Sequence, residues 1–278
     1  MKTVAIFGVG LIGGSFALAL REAGFSGNIV GVSSPDTLQR ALELKVIDRG
    51  ATAEQAARSA DLIYLATPIR HIIDCLAELS SWVQPGALVT DAGSTKAEIV
   101  GRAATLFRAG QFLGGHPMAG RERRGVEAAE AGLFVGRPYI FTPRSPADLD
   151  SPNARELLNW VRKMGARPLT LDALEHDRIV AFTSHLPQLA STALAALLES
   201  RGQPQAGVFG PALVDSTRLA LSSYEIWGDI LATNQGPIQD ALRDYIHQLQ
   251  EFLRNFDSQI MQRQFQQAAK LAASLRDT

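Results

Sequence analysis

The sequence predicts an α/β chain in two parts, a doubly wound parallel sheet over residues 1–171 and an all-α domain over residues 172–278. Three observations carry this. A glycine fingerprint joins the first strand to the first helix, near-continuous apolar strands alternate with helices as far as Leu171, and strand patterns stop at Asp172. Apolar strands separated by helices mean a parallel sheet buried on both faces.

The elements follow in order. Val4–Phe7 is the first strand, and Gly8-Val9-Gly10-Leu11-Ile12-Gly13 leads from it into an amphipathic helix ending at Gly24. In a Rossmann domain Gly8 permits the tight turn, Gly10 lets the backbone approach a pyrophosphate, and Gly13 lets helix and strand pack closely. Asn28–Val32, Asp61–Ala66, Ala87–Thr90, Gln111–Gly115, Pro138–Thr142 and Arg167–Leu171 are further strands, with helices over Leu38–Leu44 and Ile69–Trp82. Asp172 and Glu175 have the spacing of a capping box, which starts a long helix running to about Ser200 and bent at Pro187. Helices are also expected over Val208–Leu221, Tyr224–Thr233, Pro237–Phe256 and Gln259–Leu275. Leu242, Tyr245, Ile246, Leu249, Phe252, Leu253 and Phe256 form an apolar stripe wider than one neighbouring helix needs, which favours a homodimer through the helical domain.

Composition narrows the function classes. The chain has 278 residues, 46% of them hydrophobic, and a net charge of −1, so no global field recruits nucleic acid or an anionic membrane. No uninterrupted apolar run is long enough for a membrane span. The early apolar run is broken by glycines, continues through Arg21 and Glu22 and lacks a small-residue cleavage site, which argues against a secretory signal. With one cysteine, Cys75, and no metal-ligand cluster, a cytoplasmic chain without a metal is expected.

Open α/β sheets place their chemistry in loops at the carboxyl ends of strands. Thr67-Pro68, Asp91-Ala92-Gly93-Ser94-Thr95-Lys96 and Gly115-His116-Pro117-Met118 occupy such loops. The expected cofactor contacts are Gly8, Gly10, Leu11, Ile12, Gly13, Thr67, Pro68 and, at the end of the second strand, Ser33 and Ser34. An NAD site normally carries an acidic residue near that strand end; two hydroxyls stand there instead, with Arg40 about one turn into the next helix. NADP is therefore expected to be preferred, with NAD also used.

Gly8-Val-Gly-Leu-Ile-Gly-Gly-Ser15, Ala66-Thr-Pro68, Asp91-Ala-Gly-Ser-Thr-Lys96, Gly114-Gly-His-Pro-Met-Ala-Gly120, Leu133-Phe134, Glu175-His-Asp177, Ser184-His-Leu-Pro187 and Asp215-Ser-Thr-Arg218 run in order along the chain. Together they resemble the prephenate and arogenate dehydrogenases of tyrosine biosynthesis. The resemblance implies a Rossmann domain, a helical dimerisation domain and an active site in the cleft between them. It also implies oxidative decarboxylation of a small cyclohexadienol dicarboxylate, with hydride passed to a nicotinamide. On this resemblance His116 accepts a hydrogen bond from the ring hydroxyl, Ser94 holds the His116 imidazole, and His185 completes the polar wall. Arg218 binds a carboxylate through its planar fork of donors. Gln188, one helical turn after His185, is the candidate for reading the substrate side chain, and a neutral amide there favours prephenate over arogenate. His176 and Asp177 are assigned structural roles, and Arg121-Glu122-Arg123-Arg124 is read as a solvated loop, the alternative being added positive potential over a dianionic substrate. A β-hydroxyacid dehydrogenase or imine reductase, and a nonenzymatic nicotinamide-binding regulator, are the rival readings.

Overall fold

The computed structural model describes residues 1–121, 123–201, 208–256 and 259–276. An eight-stranded sheet comprises β1 (Thr3–Phe7), β2 (Asn28–Val32), β3 (Arg49–Gly50), β4 (Leu62–Leu65), β5 (Leu88–Asp91), β6 (Phe112–Pro117), β7 (Pro138–Thr142) and β8 (Arg167–Thr170), in the order β3-β2-β1-β4-β5-β6-β7-β8. The first six strands are parallel, β7 turns antiparallel to β6, and β8 is parallel to β7. The helices of this half are α1 (Leu11–Glu22), α2 (Pro35–Glu43), α3 (Ala53–Ser59), α4 (Ile69–Trp82), α5 (Ala97–Ala104), α6 (Ala147–Asp150) and α7 (Pro152–Lys163).

Every residue of β4, β5 and β6 is buried, the outcome expected when helices cover both faces of a parallel sheet. Chain order reverses between β1 and β4, so their carboxyl ends open a crevice at a topological switch point. On one face Phe16 of α1 stacks on Tyr64 of β4 with ring centroids 3.9 Å apart. On the other, Ile72, Leu76 and Leu79 of α4 pack with Ile63, Leu65 and Val89.

The second half is helical: α8 (Ala173–Val180), α9 (Leu186–Ser200), α10 (Pro211–Thr217), α11 (Tyr224–Thr233), α12 (Gln235–Arg254) and α13 (Gln259–Ser274). Asp172 caps α8, accepting from the backbone N–H groups of Leu174 (2.8 Å) and Glu175 (3.2 Å). The long helix expected to bend at Pro187 is instead interrupted before it, by a π turn over Ala181–His185. Proline has no N–H to donate and its ring crowds the carbonyl four residues back, so the wider turn absorbs the conflict and Pro187 falls in the first turn of α9. The expected Val208–Leu221 helix is shorter, with α10 tightening into a 3₁₀ turn over Arg218–Leu221. Along α12 only Ile238 and Ala241 are buried. No helix of the described residues is long and apolar enough to cross a membrane.

Candidate active site

A cleft of about 400 Å³ opens where β1, β4 and β5 end, lined by Leu11, Ile12, Thr67, Pro68 and Ser94 from the sheet domain and by Glu225, Ile226 and Asp229 from α11. Gly8 has φ +88°, and a side chain there would strike the Ala66 carbonyl and the Thr67 methyl. A Cβ on Gly13 would collide with the carbonyl oxygen of Gly8, so α1 can lie against its strand only as glycine. At Gly10 a Cβ would meet nothing within 4 Å, and no side chain caps the start of α1. That helix end therefore presents uncapped N–H groups and its positive dipole to a space an anionic group can enter. The buried Thr67 hydroxyl has no protein partner. These features fit a dinucleotide pyrophosphate held by Gly8, Gly10, Leu11, Ile12 and Gly13 with Thr67 and Pro68 alongside.

At the end of β2 the predicted pair is less open. Ser34 caps α2, accepting from the Thr37 N–H (3.4 Å) and donating to the Thr37 hydroxyl (2.9 Å). Arg40 is engaged by Glu43 at 3.0 Å and Glu127 at 3.2 Å. Ser33 is half-buried beside Ser34.

His116 sits on β6, 9% exposed, and its surroundings correct the sequence reading. Its Nδ1 lies 2.8 Å from Nε2 of His176, so His176 rather than Ser94 holds the imidazole. His176 Nδ1 is in turn 2.8 Å from Oδ1 of Asp177. The Asp177 carboxylate also accepts the backbone N–H groups of Lys96 (2.7 Å) and Ala97 (2.8 Å) at the start of α5, tying the helical domain to the sheet. His176 and Asp177 thus form a bridge to His116. An adjacent His-Asp pair just after a capped helix start was the available signal, but its partner lies 60 residues away in sequence.

Two further groups support this seam. Lys96 is wholly buried, ion-paired with Asp91, and donates to the Gly115 carbonyl at 2.8 Å, while Asp91 accepts the Gly115 N–H at 3.1 Å. Backbone pairing of β5 with β6 ends at Thr90 and Leu113, so these side chains take over the ladder immediately before His116. Asn234 donates to the Asp177 carbonyl at 2.8 Å and lies 3.3 Å from His185 Nδ1. His185 packs edge-on against Trp227 of α11.

Burial is the first cause lowering the His116 pKa well below the usual histidine value, and proximity to His176, Lys96 and His185 adds to it. Burial also brings His185 down to about 4, with His176 adding to it and Asp177 opposing it. Both imidazoles are neutral at neutral pH, the state that accepts as well as donates hydrogen bonds.

The other predicted residues divide. Ser94 lies in the cleft with the glycine loop. Gln188 is buried on α9, donating to the Leu219 carbonyl at 2.7 Å and the Thr192 hydroxyl at 3.2 Å, so it braces the turn that Arg218 opens. Arg121, Arg123 and Arg124 are exposed and line the cleft; Arg124 reaches Glu225 of α11 at 2.9 Å. Glu122 lies outside the described residues. Among the described residues no group of three or more His, Cys, Asp or Glu side chains could hold a metal.

Known proteins resemble this chain along its whole length. The nucleotide-binding domain of prephenate dehydrogenase matches residues 16–169, and its dimerization domain matches residues 172–271. The prephenate dehydrogenase of Lactococcus lactis is 31% identical over 288 aligned positions, covering 99% of this chain and 78% of the relative. A crystal structure of prephenate dehydrogenase from A. aeolicus with hydroxyphenyl propionate and NAD+ superposes with a TM-score of 0.85 at 29% identity, covering 99% of this chain and 96% of that one. The arogenate dehydrogenase of Synechocystis has a TM-score of 0.77 at 28% identity over 99% of this chain and 98% of its own. A nicotinamide-binding sheet, a neutral buried histidine at its carboxyl edge and two matching domains converge on one conclusion: the chain belongs to the prephenate dehydrogenase family.

Proposed function

We propose that this chain oxidatively decarboxylates prephenate to 4-hydroxyphenylpyruvate, with arogenate as the second substrate. The observation that carries the reading is His116, a neutral imidazole near the carboxyl end of β6, the sheet neighbour of β5, whose own end opens into the cleft; an acceptor for a ring hydroxyl is required there. When bound, the nicotinamide supplies the hydride acceptor. His116 accepts the hydrogen bond of the substrate hydroxyl, drawing its proton as the carbon–oxygen bond gains carbonyl character. The proton returns as the carboxylate leaves as carbon dioxide and its bonding electrons complete the aromatic ring. Ser94 lines the cleft near the reacting centre, His185 closes the polar wall, and Arg218 holds a substrate carboxylate. Gln188 acts on the substrate side chain through the Arg218 turn it braces.

The domain division falls at Leu171, between the end of β8 and the capped start of α8. For the cofactor, Ser33 and Ser34 with no carboxylate at the end of β2 support NADP over NAD. Because Arg40 is held by Glu43 and Glu127, that preference is modest. A homodimer through the helical domain, in the cytoplasm, completes the reading; Ile246, Leu249, Leu253 and Phe256 supply the apolar face.

Steady-state kinetics with prephenate and arogenate, each with NAD and NADP, test it in wild type and His116→Asn. Prephenate with NADP is expected to be most efficient. The variant should lose at least about 100-fold in kcat, within the range of general acid–base catalysis, with KM changed less than about threefold. A kcat within threefold of wild type, under about 1 kcal/mol, removes His116 from the role. Tenfold better use of arogenate or of NAD rejects the substrate or cofactor choice.

A further inference from the structure

We infer that Asp177 and His176 are positioning residues that lock His116 in one tautomer, with the proton on Nδ1 and the acceptor lone pair on Nε2. The inference deepens the proposed reaction and rests on it for its catalytic meaning.

The assignment runs outward from the carboxylate. Both oxygens of Asp177 take backbone N–H groups, from Lys96 at 2.7 Å and Ala97 at 2.8 Å, so the group serves as an acceptor. Its Oδ1 also faces His176 Nδ1 at 2.8 Å, which places the proton on that nitrogen. In the neutral His176 ring Nε2 is then a lone pair, and the group opposite it at 2.8 Å is Nδ1 of His116. Only a protonated Nδ1 makes that contact a hydrogen bond. The remaining nitrogen of His116 is thereby an acceptor, which a substrate hydroxyl needs.

The same logic gives His185 the opposite tautomer. The Asn234 amide is oriented by its bond to the Asp177 carbonyl, so its nitrogen donates to His185 Nδ1 and the proton of His185 stays on Nε2. The two neutral histidines therefore present one acceptor and one donor, and Asp177 is connected to both. The groups around His116 are His176 and Asp177 from α8, His185 from the π turn, and Lys96 with Asp91 from the end of β5. If His116 carried its proton on Nε2, its Nδ1 and His176 Nε2 would face each other as two lone pairs at the seam. In the reaction no net proton is lost. The hydroxyl proton moves towards Nε2 and back while the Nδ1–H bond to His176 steadies the passing positive charge.

The test uses the full-length protein labelled with ¹⁵N-histidine, whose five histidines are few enough to assign by single substitution. Nitrogen chemical shifts distinguish the two tautomers of a neutral imidazole. Wild type should show His116 protonated on Nδ1 and His185 on Nε2. His176→Leu should leave His116 in a tautomer mixture and lower kcat at least about tenfold, with KM and cofactor affinity within about threefold. His176→Gln, whose carbonyl can accept from Nδ1, should restore part of both. A wild-type His116 protonated on Nε2 overturns the inference, as does His176→Leu with unchanged tautomer and kcat. Should His176→Leu fail to fold, the wild-type spectrum decides alone. The spectrum needs no turnover, so a chain inactive on prephenate and arogenate would reject the proposed reaction while leaving the tautomer assignment to stand or fall separately.

Discussion

The sheet domain finishes its own interior, and the helical domain does not. β4, β5 and β6 are buried end to end, whereas Leu253 in the last turn of α12 is 78% exposed and Phe256, just beyond the helix, is 77% exposed. The difference teaches where each half finds its stability. In the first, parallel strands are covered by their own crossover helices. In the second, apolar residues recur along α12 and α13, yet no residue of α13 is buried. The candidate site inherits the contrast: backbone shape builds the glycine-loop wall of the cleft, and hydrogen-bonded side chains across the seam hold His116 and His185.

The largest effect is expected from breaking the sheet domain's buried charge pair. Lys96→Met leaves Asp91 buried without its counter-ion and frees the Gly115 carbonyl, a loss of about 3–5 kcal/mol readable in a urea transition. A change below about 1 kcal/mol would show the pair to behave like a surface ion pair and would weaken the idea of a self-sufficient sheet interior. Next, Leu253→Glu combined with Phe256→Glu should weaken self-association at least about 100-fold, near 2.7 kcal/mol. Light scattering at micromolar concentration should then give a 30 kDa species where wild type gives twice that mass. A wild-type monomer, or a variant dimer as tight as wild type, would break the comparison. The smallest effect sharpens it: Arg218→Ala should raise the KM for prephenate about tenfold or more, near 1.4 kcal/mol, through the lost carboxylate contact. An unchanged KM would place substrate recognition elsewhere.

Much of the fold was legible in the residues because its signals are short-ranged. Gly8, Gly10 and Gly13 act through their own backbone, and strands such as Leu62–Leu65 declare themselves by unbroken apolar runs. β3 escaped because Arg49-Gly50 is two residues with no apolar pattern. α5 escaped because it is eight residues long and its caps come from elsewhere: no side chain of its own caps it, and Asp177 of the helical domain receives its first N–H groups. The candidate site divides the same way. His116 stood out by following two glycines at a strand end. The hydrogen-bond order around it, His176 before Ser94 and Asn234 beside His185, depends on contacts across the seam that no local pattern encodes.

The π turn over Ala181–His185 fixes how many residues this stretch must contain. Eight residues separate Asp177 from His185, and in an unbroken α-helix that count would leave the two about 80° apart around the axis. The wider turn unwinds most of the difference, and one Asn234 amide can touch both. Side chains along the segment are therefore free to vary within the limits of packing, but its arithmetic is not. Regular winding over the same eight residues would swing His185 round the helix and away from Asn234, although every functional side chain would still be present.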